Sequence, residues 1–350
     1  MKDINDVIDN SNTVLEEINK ADSGVQESDS VIGITVTDKA AEIDEADKED
    51  ALEIVLKAGV LYRINSNCWS AITSRVPEEQ VKAPKEILSG LKTIINTDRL
   101  GPFRFWKTAG ERELKKFGYN FLGLRGVYFI PKAFIPVIER KLKLCTEKAL
   151  EAKADFIANY EVYKDEWRDT VIDICEKKDI TIEQALAYLD DELYPSAENL
   201  EGRFRFSYRK FFISVPDPSM GILDDKEYQE EVKKQKEEAA EFLDNCLAGL
   251  AKKFYDIISK IQDKIKKGES VRPNTLQALS DYTTIFDQMN ITNNQELAGF
   301  VIQAKKIFSG VEAKDFKEDD FRKQIEAGLT EIVTNFKTKS DQKVLRDIDF

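Results

Sequence analysis

The chain has 350 residues, of which 42% are hydrophobic and 33% are charged, and it contains no histidine. Its apolar share is large enough to bury one large core or two smaller ones, which excludes a wholly disordered protein. Histidine is the commonest general base near neutral pH and the commonest transition-metal ligand, so most hydrolase and deaminase mechanisms lose support. The net charge of −13 is concentrated at one end, because residues 1–50 alone carry −11.

Residues 1–50 form an acidic segment with fifteen acidic and four basic side chains. Such a segment buries too little apolar surface to offset its ordering entropy, so we predict a disordered tail. Two interpretations stay open: a solubilising extension, or an electrostatic lid that competes with nucleic acid or a basic partner for a positive surface elsewhere on the chain. The first residues lack an apolar signal region, and no run reaches the roughly 18 apolar residues of a membrane span. We therefore expect a cytoplasmic protein with no membrane partner.

Helical spacing follows the acidic segment at residues 46–62 and recurs at 84–96 and 104–117. Between residues 119 and 130 the chain is aromatic and punctuated by glycine. This composition is typical of a short hairpin or an irregular crossover.

Two long helices are predicted at about residues 131–167 and 224–267, because apolar residues recur there at alternating spacings of four and three. The first stripe includes Leu142 and Cys145, and the second includes Leu247 and Leu250. Each stripe is narrow, as in the seam of a coiled coil. The simplest arrangement is an antiparallel pair with residues 168–223 inserted at one tip. Because a heptad seam also serves pairing between two chains, a homo-oligomer stays open.

Three further helical patterns lie between residues 271 and 339 and predict a helical cap. The predicted fold is therefore mainly α, with two long antiparallel coiled-coil-like helices, a small inserted α/β tip and a C-terminal helical cap. The predicted domains are an acidic tail at 1–50, a helical core at 51–270 and the cap at 271–350.

No motif for catalysis, metal binding or cofactor binding stands out. The four cysteines are widely separated and fit reduced, buried thiols, since Cys-x-x-Cys spacing is missing. The acidic run Asp190-Asp191-Glu192 is more typical of a solvated helix face than of a magnesium site. Neither a phosphate-binding loop nor a dinucleotide fingerprint is present. We accordingly expect a protein that is not an enzyme and that uses no cofactor.

Basic and aromatic residues interleave in two segments, at 99–125 and 203–209. Cations bind phosphate and exposed rings stack on bases, so this composition suits a single-stranded nucleic-acid site. A half-buried strand with rings inside and arginines outside has the same pattern, and it is favoured at 203–209 because all the rings fall on one face. The candidate binding surface consists of Arg104, Lys107, Arg112, Lys115, Arg203, Arg205 and Arg209.

A succession of aromatic motifs carries a family resemblance: Asn67-Cys68-Trp69-Ser70, Gly101-Pro102-Phe103, the segment 117–123, Tyr128-Phe129-Ile130-Pro131, and Arg203-Phe204-Arg205-Phe206. With these motifs, residues 55–220 resemble the bacterial and phage domain-of-unknown-function 3150 family. Members of that family tend to be encoded beside a MoxR-type AAA+ ATPase and a von Willebrand factor A domain protein. The resemblance implies an accessory subunit of a chaperone-like ATPase module, and it implies no catalytic residues.

Two functional hypotheses follow. The first is a non-enzymatic helical adaptor that acts in a protein complex with the AAA+ ATPase and the von Willebrand factor A protein. The second is a nucleic-acid-binding protein with a basic aromatic groove that the acidic tail regulates. A pore-forming helical toxin is disfavoured, because the chain lacks an apolar tongue long enough to cross a bilayer.

Overall fold

The computed structural model describes residues 45–72, 93–177, 179, 181, 194–214 and 224–339, with side chains from residue 51 onward. The predicted acidic tail, apart from its last six residues, lies outside the described residues, as does the acidic run 190–192. Within the described residues the chain forms two compact units. The described part of unit 1 falls within residues 62–116 and 136–210, and that of unit 2 within residues 45–61, 117–135, 211–214 and 224–339.

Helices make up most of the described chain, so the mainly α prediction is confirmed. In chain order they are α1 (Glu45–Ala58), α2 (Gly101–Phe117), α3 (Ile135–Ala158), α4 (Tyr160–Glu176), α5 (Ala197–Glu201), α6 (Asp225–Lys266), α7 (Pro273–Met289), α8 (Gln295–Ile307) and α9 (Asp319–Lys339). Short 3-10 turns at Thr97–Leu100, Lys132–Phe134 and Asp315–Lys317 precede α2, α3 and α9.

A small four-stranded sheet accompanies the helices. Its strands are β1 (Gly59–Asn67), β2 (Tyr119–Asn120), β3 (Val127–Pro131) and β4 (Arg205–Phe211), in the order β2-β3-β1-β4. β2 and β3 pair antiparallel, with Tyr119 opposite Phe129, which confirms the hairpin among the two predicted alternatives. The strand β1 was missed, because its residues continue the helical spacing of α1. A Cβ at Gly59 would lie 2.3 Å from the Ile130 carbonyl oxygen, so only glycine permits this close approach.

The core of unit 1 is aromatic. Phe103 of α2 packs edge-to-face on Phe204, with ring centroids 5.2 Å apart, and Phe156 of α3 lies 5.4 Å from the same ring. Trp69 packs against Phe156 and Tyr160. Strand β4 supplies Phe206 to this core and is one of the four strands of the sheet. The inserted tip at 168–223 stays a prediction.

The core of unit 2 is built around α6, which spans 42 residues. Its central turns bury Phe242 and Cys246 against Leu52 and Val55 of α1. Further along, Phe254 stacks on Tyr282 of α7 with centroids 5.8 Å apart. Phe336 of α9 also packs against Phe254. The three C-terminal helices thus pack on one another and on α6, in the positions that the sequence predicts for the helical cap.

The first long helix differs from the prediction of one element at 131–167. It begins at Ile135 and ends at Ala158, and α4 continues from Tyr160. The interruption falls at Asn159, whose φ of −99° and ψ of 9° depart from helical values. Both its backbone N–H and its side-chain amide donate to the Asp155 carbonyl oxygen, at 3.0 and 2.8 Å.

The second long helix is present at Asp225–Lys266, between the Asp224 capping box and the left-handed Gly268. The coiled-coil pairing of the two helices is not confirmed, because α3 and α6 belong to different units and each buries its stripe in the core of its own unit. Among the described residues, no helix is both long and apolar enough to cross a bilayer.

Candidate binding surfaces

One face of α2 is basic and exposed. Arg104, Lys107, Arg112 and Lys115 are all solvent-exposed, whereas Trp106 and Leu114 point into the core. At about 100° per residue these four cations fall within an arc of roughly 140°, with Glu111 among them. The helix can lie close to the sheet because residue 110 is glycine, where a Cβ would come within 2.7 Å of the Ile64 side chain. We call these four residues the α2 basic face.

The N-terminal end of this face reaches the half-buried thiol of Cys68. That thiol donates a hydrogen bond to the Trp69 carbonyl oxygen at 3.4 Å. Burial raises the pKa of Cys68, and the positive charges of Arg104 and Lys107 oppose the increase. The thiol is therefore protonated at neutral pH.

The outward face of the sheet in unit 1 is the second basic surface. Side chains alternate along a strand, and Phe206 of β4 points into the core while Arg205, Ser207 and Arg209 are exposed. Tyr62 and Tyr208 pack on the inward face with ring centroids 6.4 Å apart, so Arg63 lies on the outward face with the two arginines. We call Arg63, Arg205 and Arg209 the sheet basic face.

Arg63 was missed at the level of sequence, because β1 was not predicted. Once residues 59–67 are assigned to a strand, alternation with the fully buried Tyr62 places Arg63 outward. Arg203, just before β4, is also exposed.

The structure does not bring the predicted site residues together in one groove. Phe206 and the preceding Phe204 point toward Phe103 of α2, so Arg205 and Arg209, on the other side of the strand, point away from α2. The candidate residues therefore form two separate surfaces.

The rings that were predicted to stack on bases lie mostly inside the protein. Phe103, Trp106, Phe117, Phe204 and Phe206 are each at most 8% exposed. The structure thus agrees with the alternative interpretation of 203–209, in which the rings lie inside and the arginines outside. A groove lined by both exposed rings and cations is not present at these residues.

Two ionic groups in unit 1 lie away from both basic faces. Lys141 and Glu113 form a buried pair, and Glu139 accepts hydrogen bonds from Lys210 and from the Tyr62 hydroxyl, the latter at 3.0 Å. The bond from Lys210 lowers the pKa of Glu139, as does the bond from Tyr62. Both groups join elements of one core and therefore act as structural contacts. In the described part of the chain, no group of three or more acidic or cysteine side chains could hold a metal ion.

These features define a mainly helical protein with a small antiparallel sheet and two exposed basic faces on one of its units. The chain belongs to the DUF3150 family, described as proteins of unknown function, whose model matches residues 56–289. Neither the curated proteins nor the solved structures contain a significant match to the chain.

Proposed function

We propose that this protein is a non-enzymatic helical adaptor that acts in a protein complex, with a MoxR-type AAA+ ATPase and a von Willebrand factor A protein as its expected partners. The observation that supports the proposal is the first part of α6, residues 225–238. There the helix continues for almost four turns before its fully buried stripe begins at Ala239. A helix of 42 residues is about 63 Å long, which is a suitable length for an arm that links partners.

This arm is stabilised as a helix by local contacts. Asp224 accepts hydrogen bonds from the backbone amides of Lys226 and Glu227, at 2.9 and 2.8 Å, in a capping box. Lys226 pairs with Glu230, and Lys234 pairs with Glu238, each at 3.8 Å and one turn apart. Each such pair is worth only about 0.3–0.5 kcal/mol, but together with the cap they favour the helix without a deep apolar contact.

The outer side of the arm presents both charges. Exposed acidic and basic side chains are interspersed along it, and they comprise Asp225, Lys226, Glu227, Glu230, Lys233, Lys234 and Glu237. A mixed row of charges selects a partner with the complementary row and rejects others by like-charge contacts. An adaptor needs this selectivity for the correct partner more than it needs high affinity.

The test is co-purification of the full chain with a MoxR-type AAA+ ATPase and a von Willebrand factor A protein of the native host, with and without nuclease. We expect a complex that survives nuclease and that the double substitution Glu230→Lys/Glu237→Lys weakens about tenfold or more. The matched control is Glu147→Lys/Glu151→Lys, which reverses two charges on α3. Equal weakening by both variants, or capture of neither protein, would contradict the proposal.

A second candidate function is nucleic-acid binding through the two basic faces. It is favoured by the sheet basic face, where three arginines and Ser207 share one outward surface of two strands. Because few rings are available for stacking, phosphate contacts rather than base contacts would dominate, and binding would be weakly selective and strongly salt-dependent.

The nucleic-acid candidate is tested by titrating a fluorescent single-stranded oligonucleotide at several salt concentrations. Removal of residues 1–44, which carry −8, spares α1 and should strengthen binding if the acidic segment competes for the same faces. Arg205→Glu/Arg209→Glu should weaken binding, and Lys143→Glu/Lys148→Glu on α3 serves as the control. Negligible binding by the truncated chain at low salt would exclude this function.

A further inference from the structure

We propose that a pocket in unit 2 between α7 and the end of α8 binds a small amphipathic organic anion, namely a carboxylate that carries an apolar chain or ring. The pocket has a volume of about 660 Å³, within the range of small-molecule sites. It is independent of the adaptor proposal, since the arm of α6 does not line it.

Two segments form the walls. One wall is the exposed side of α7 from Pro273 to Thr284, and the other is the chain from Lys305 to Lys314, where α8 ends. Gly310 has φ +75°, a left-handed conformation that lets the chain reverse direction after α8. The second wall therefore depends on a backbone turn that glycine adopts without strain.

The pocket has an apolar part. Leu276, Phe308 and Val311 line it and are only half-buried, so they retain surface that a ligand can cover. Burial of that surface by an apolar chain or ring would provide favourable free energy without any directional contact.

The polar lining favours an anion. Thr283 and Thr284 already donate their hydroxyl protons to the Ser280 carbonyl oxygen, at 3.0 and 2.8 Å. By contrast, the hydroxyl groups of Ser280 and Ser309 have no hydrogen-bond partner among the described residues. The uncommitted polar groups of the pocket therefore include two hydroxyl donors.

The charge of the lining is positive. Lys314 pairs with Glu312 at 2.7 Å, and this contact raises the pKa of Lys314. Lys305 has no carboxylate partner in the described part of the chain. The ammonium group of Lys305 is thus available to a ligand, and it lies beside hydroxyl donors and an apolar wall. This combination suits a ligand with a carboxylate at one end of an apolar chain or ring.

The test uses the full chain and three probes: 3-phenylpropionate, the neutral 3-phenylpropan-1-ol, and inorganic phosphate. Affinities are measured by calorimetry or by ligand-observed NMR at up to about 10 mM, a range that detects millimolar binding. We expect 3-phenylpropionate to bind about tenfold more tightly than the alcohol, since one charge-assisted hydrogen bond is worth about that factor. It should also bind more tightly than phosphate, which cannot use the apolar wall.

Two matched variants locate the site. Lys305→Gln should weaken 3-phenylpropionate binding about fivefold to tenfold. Lys306→Gln, at the next exposed lysine, which does not line the pocket, should leave it unchanged. The proposal would be overturned if no probe binds, if the acid and the alcohol bind equally, or if phosphate binds most tightly. It would also be overturned if both variants lose the same amount of affinity for 3-phenylpropionate. Thermal unfolding of both variants checks that each is folded.

Discussion

The ammonium nitrogen of Lys141 lies 2.9 Å from Oε2 of Glu113, and the two side chains are only 1% and 7% exposed. This contact joins α3 to α2 inside unit 1. A charge removed from water is costly unless close polar groups compensate it, so loss of one member of this pair removes compensation from the other buried charge.

We expect Glu113→Leu and Lys141→Met, taken singly, each to lower the free energy of unfolding by about 3–5 kcal/mol. The double variant should recover part of that loss, because it buries no charge. Urea denaturation of the two single variants and the double variant measures the coupling between the residues.

The exposed pair Lys143 and Glu147, 4.0 Å apart on α3, is the matched control. Its double replacement should change the stability by less than about 1 kcal/mol, since exposed ion pairs contribute little. A single variant at the buried pair that is as stable as the wild type would contradict the interpretation.

Gly59→Ala should destabilise the protein by about 2 kcal/mol or more, because the added Cβ would meet backbone atoms of β3 that cannot move independently. Gly249→Ala is the control. Gly249 lies inside α6 with open space around it, so alanine there should stabilise the helix by about 0.5–1 kcal/mol. Thermal or urea unfolding shows whether the two substitutions have opposite signs.

The pH dependence of stability should show a contribution from Glu139. Its pKa is lower in the folded protein, chiefly because of the hydrogen bond from Lys210, so its stabilising effect is present above the unfolded pKa of about 4.3. That effect is lost as the pH falls through the folded pKa. The stability difference between wild type and Glu139→Gln should therefore be largest near pH 7 and shrink toward pH 3.

Lys210→Met should reproduce most of the effect of Glu139→Gln, and Tyr62→Phe a smaller part of it, following the order of their contributions to the pKa of Glu139. Urea unfolding between pH 3 and pH 7 gives the three curves. Parallel curves for wild type and Glu139→Gln would show that this contact does not contribute.

The cysteines should differ in reactivity in the native protein. Burial raises the pKa of Cys145 to about 12, and burial also raises the pKa of Cys175 and Cys246. Only Cys68 is partly exposed. At pH 8 a thiol reagent should therefore modify one cysteine slowly in the native protein and all four after denaturation. The substitution Cys68→Ser should remove the reaction of the native protein. Rapid modification of the native Cys68→Ser variant would contradict the described burial of the other three cysteines.

Most of the helices could be predicted from the sequence, because their apolar spacing is local information. The bounds of α6 follow from the Asp224 cap and Gly268, which act within one turn. The partner of each apolar stripe could not be predicted, since a stripe such as that of α6 packs equally well on any complementary helix, and here α1, α7 and α9 supply the contacts.

The same distinction applies to the candidate surfaces. The outward arginines of β4 follow from strict alternation along one strand. The α2 basic face and the arginines of β4 lie on separate surfaces because Phe204 and Phe206 point toward Phe103. This packing is a tertiary contact between β4 and α2. No spacing within 203–209 carries that information.

The limits of the family match do not coincide with the limits of the packed core of unit 2. The family match ends at residue 289, where α7 ends, and it begins at residue 56, inside α1. A fragment cut at these limits would lose Leu52 and Val55, which cover Phe242, and also Phe336, which covers Phe254. The matched segment thus lacks residues that complete the core of unit 2, so a fragment of this chain should extend past both ends of the match.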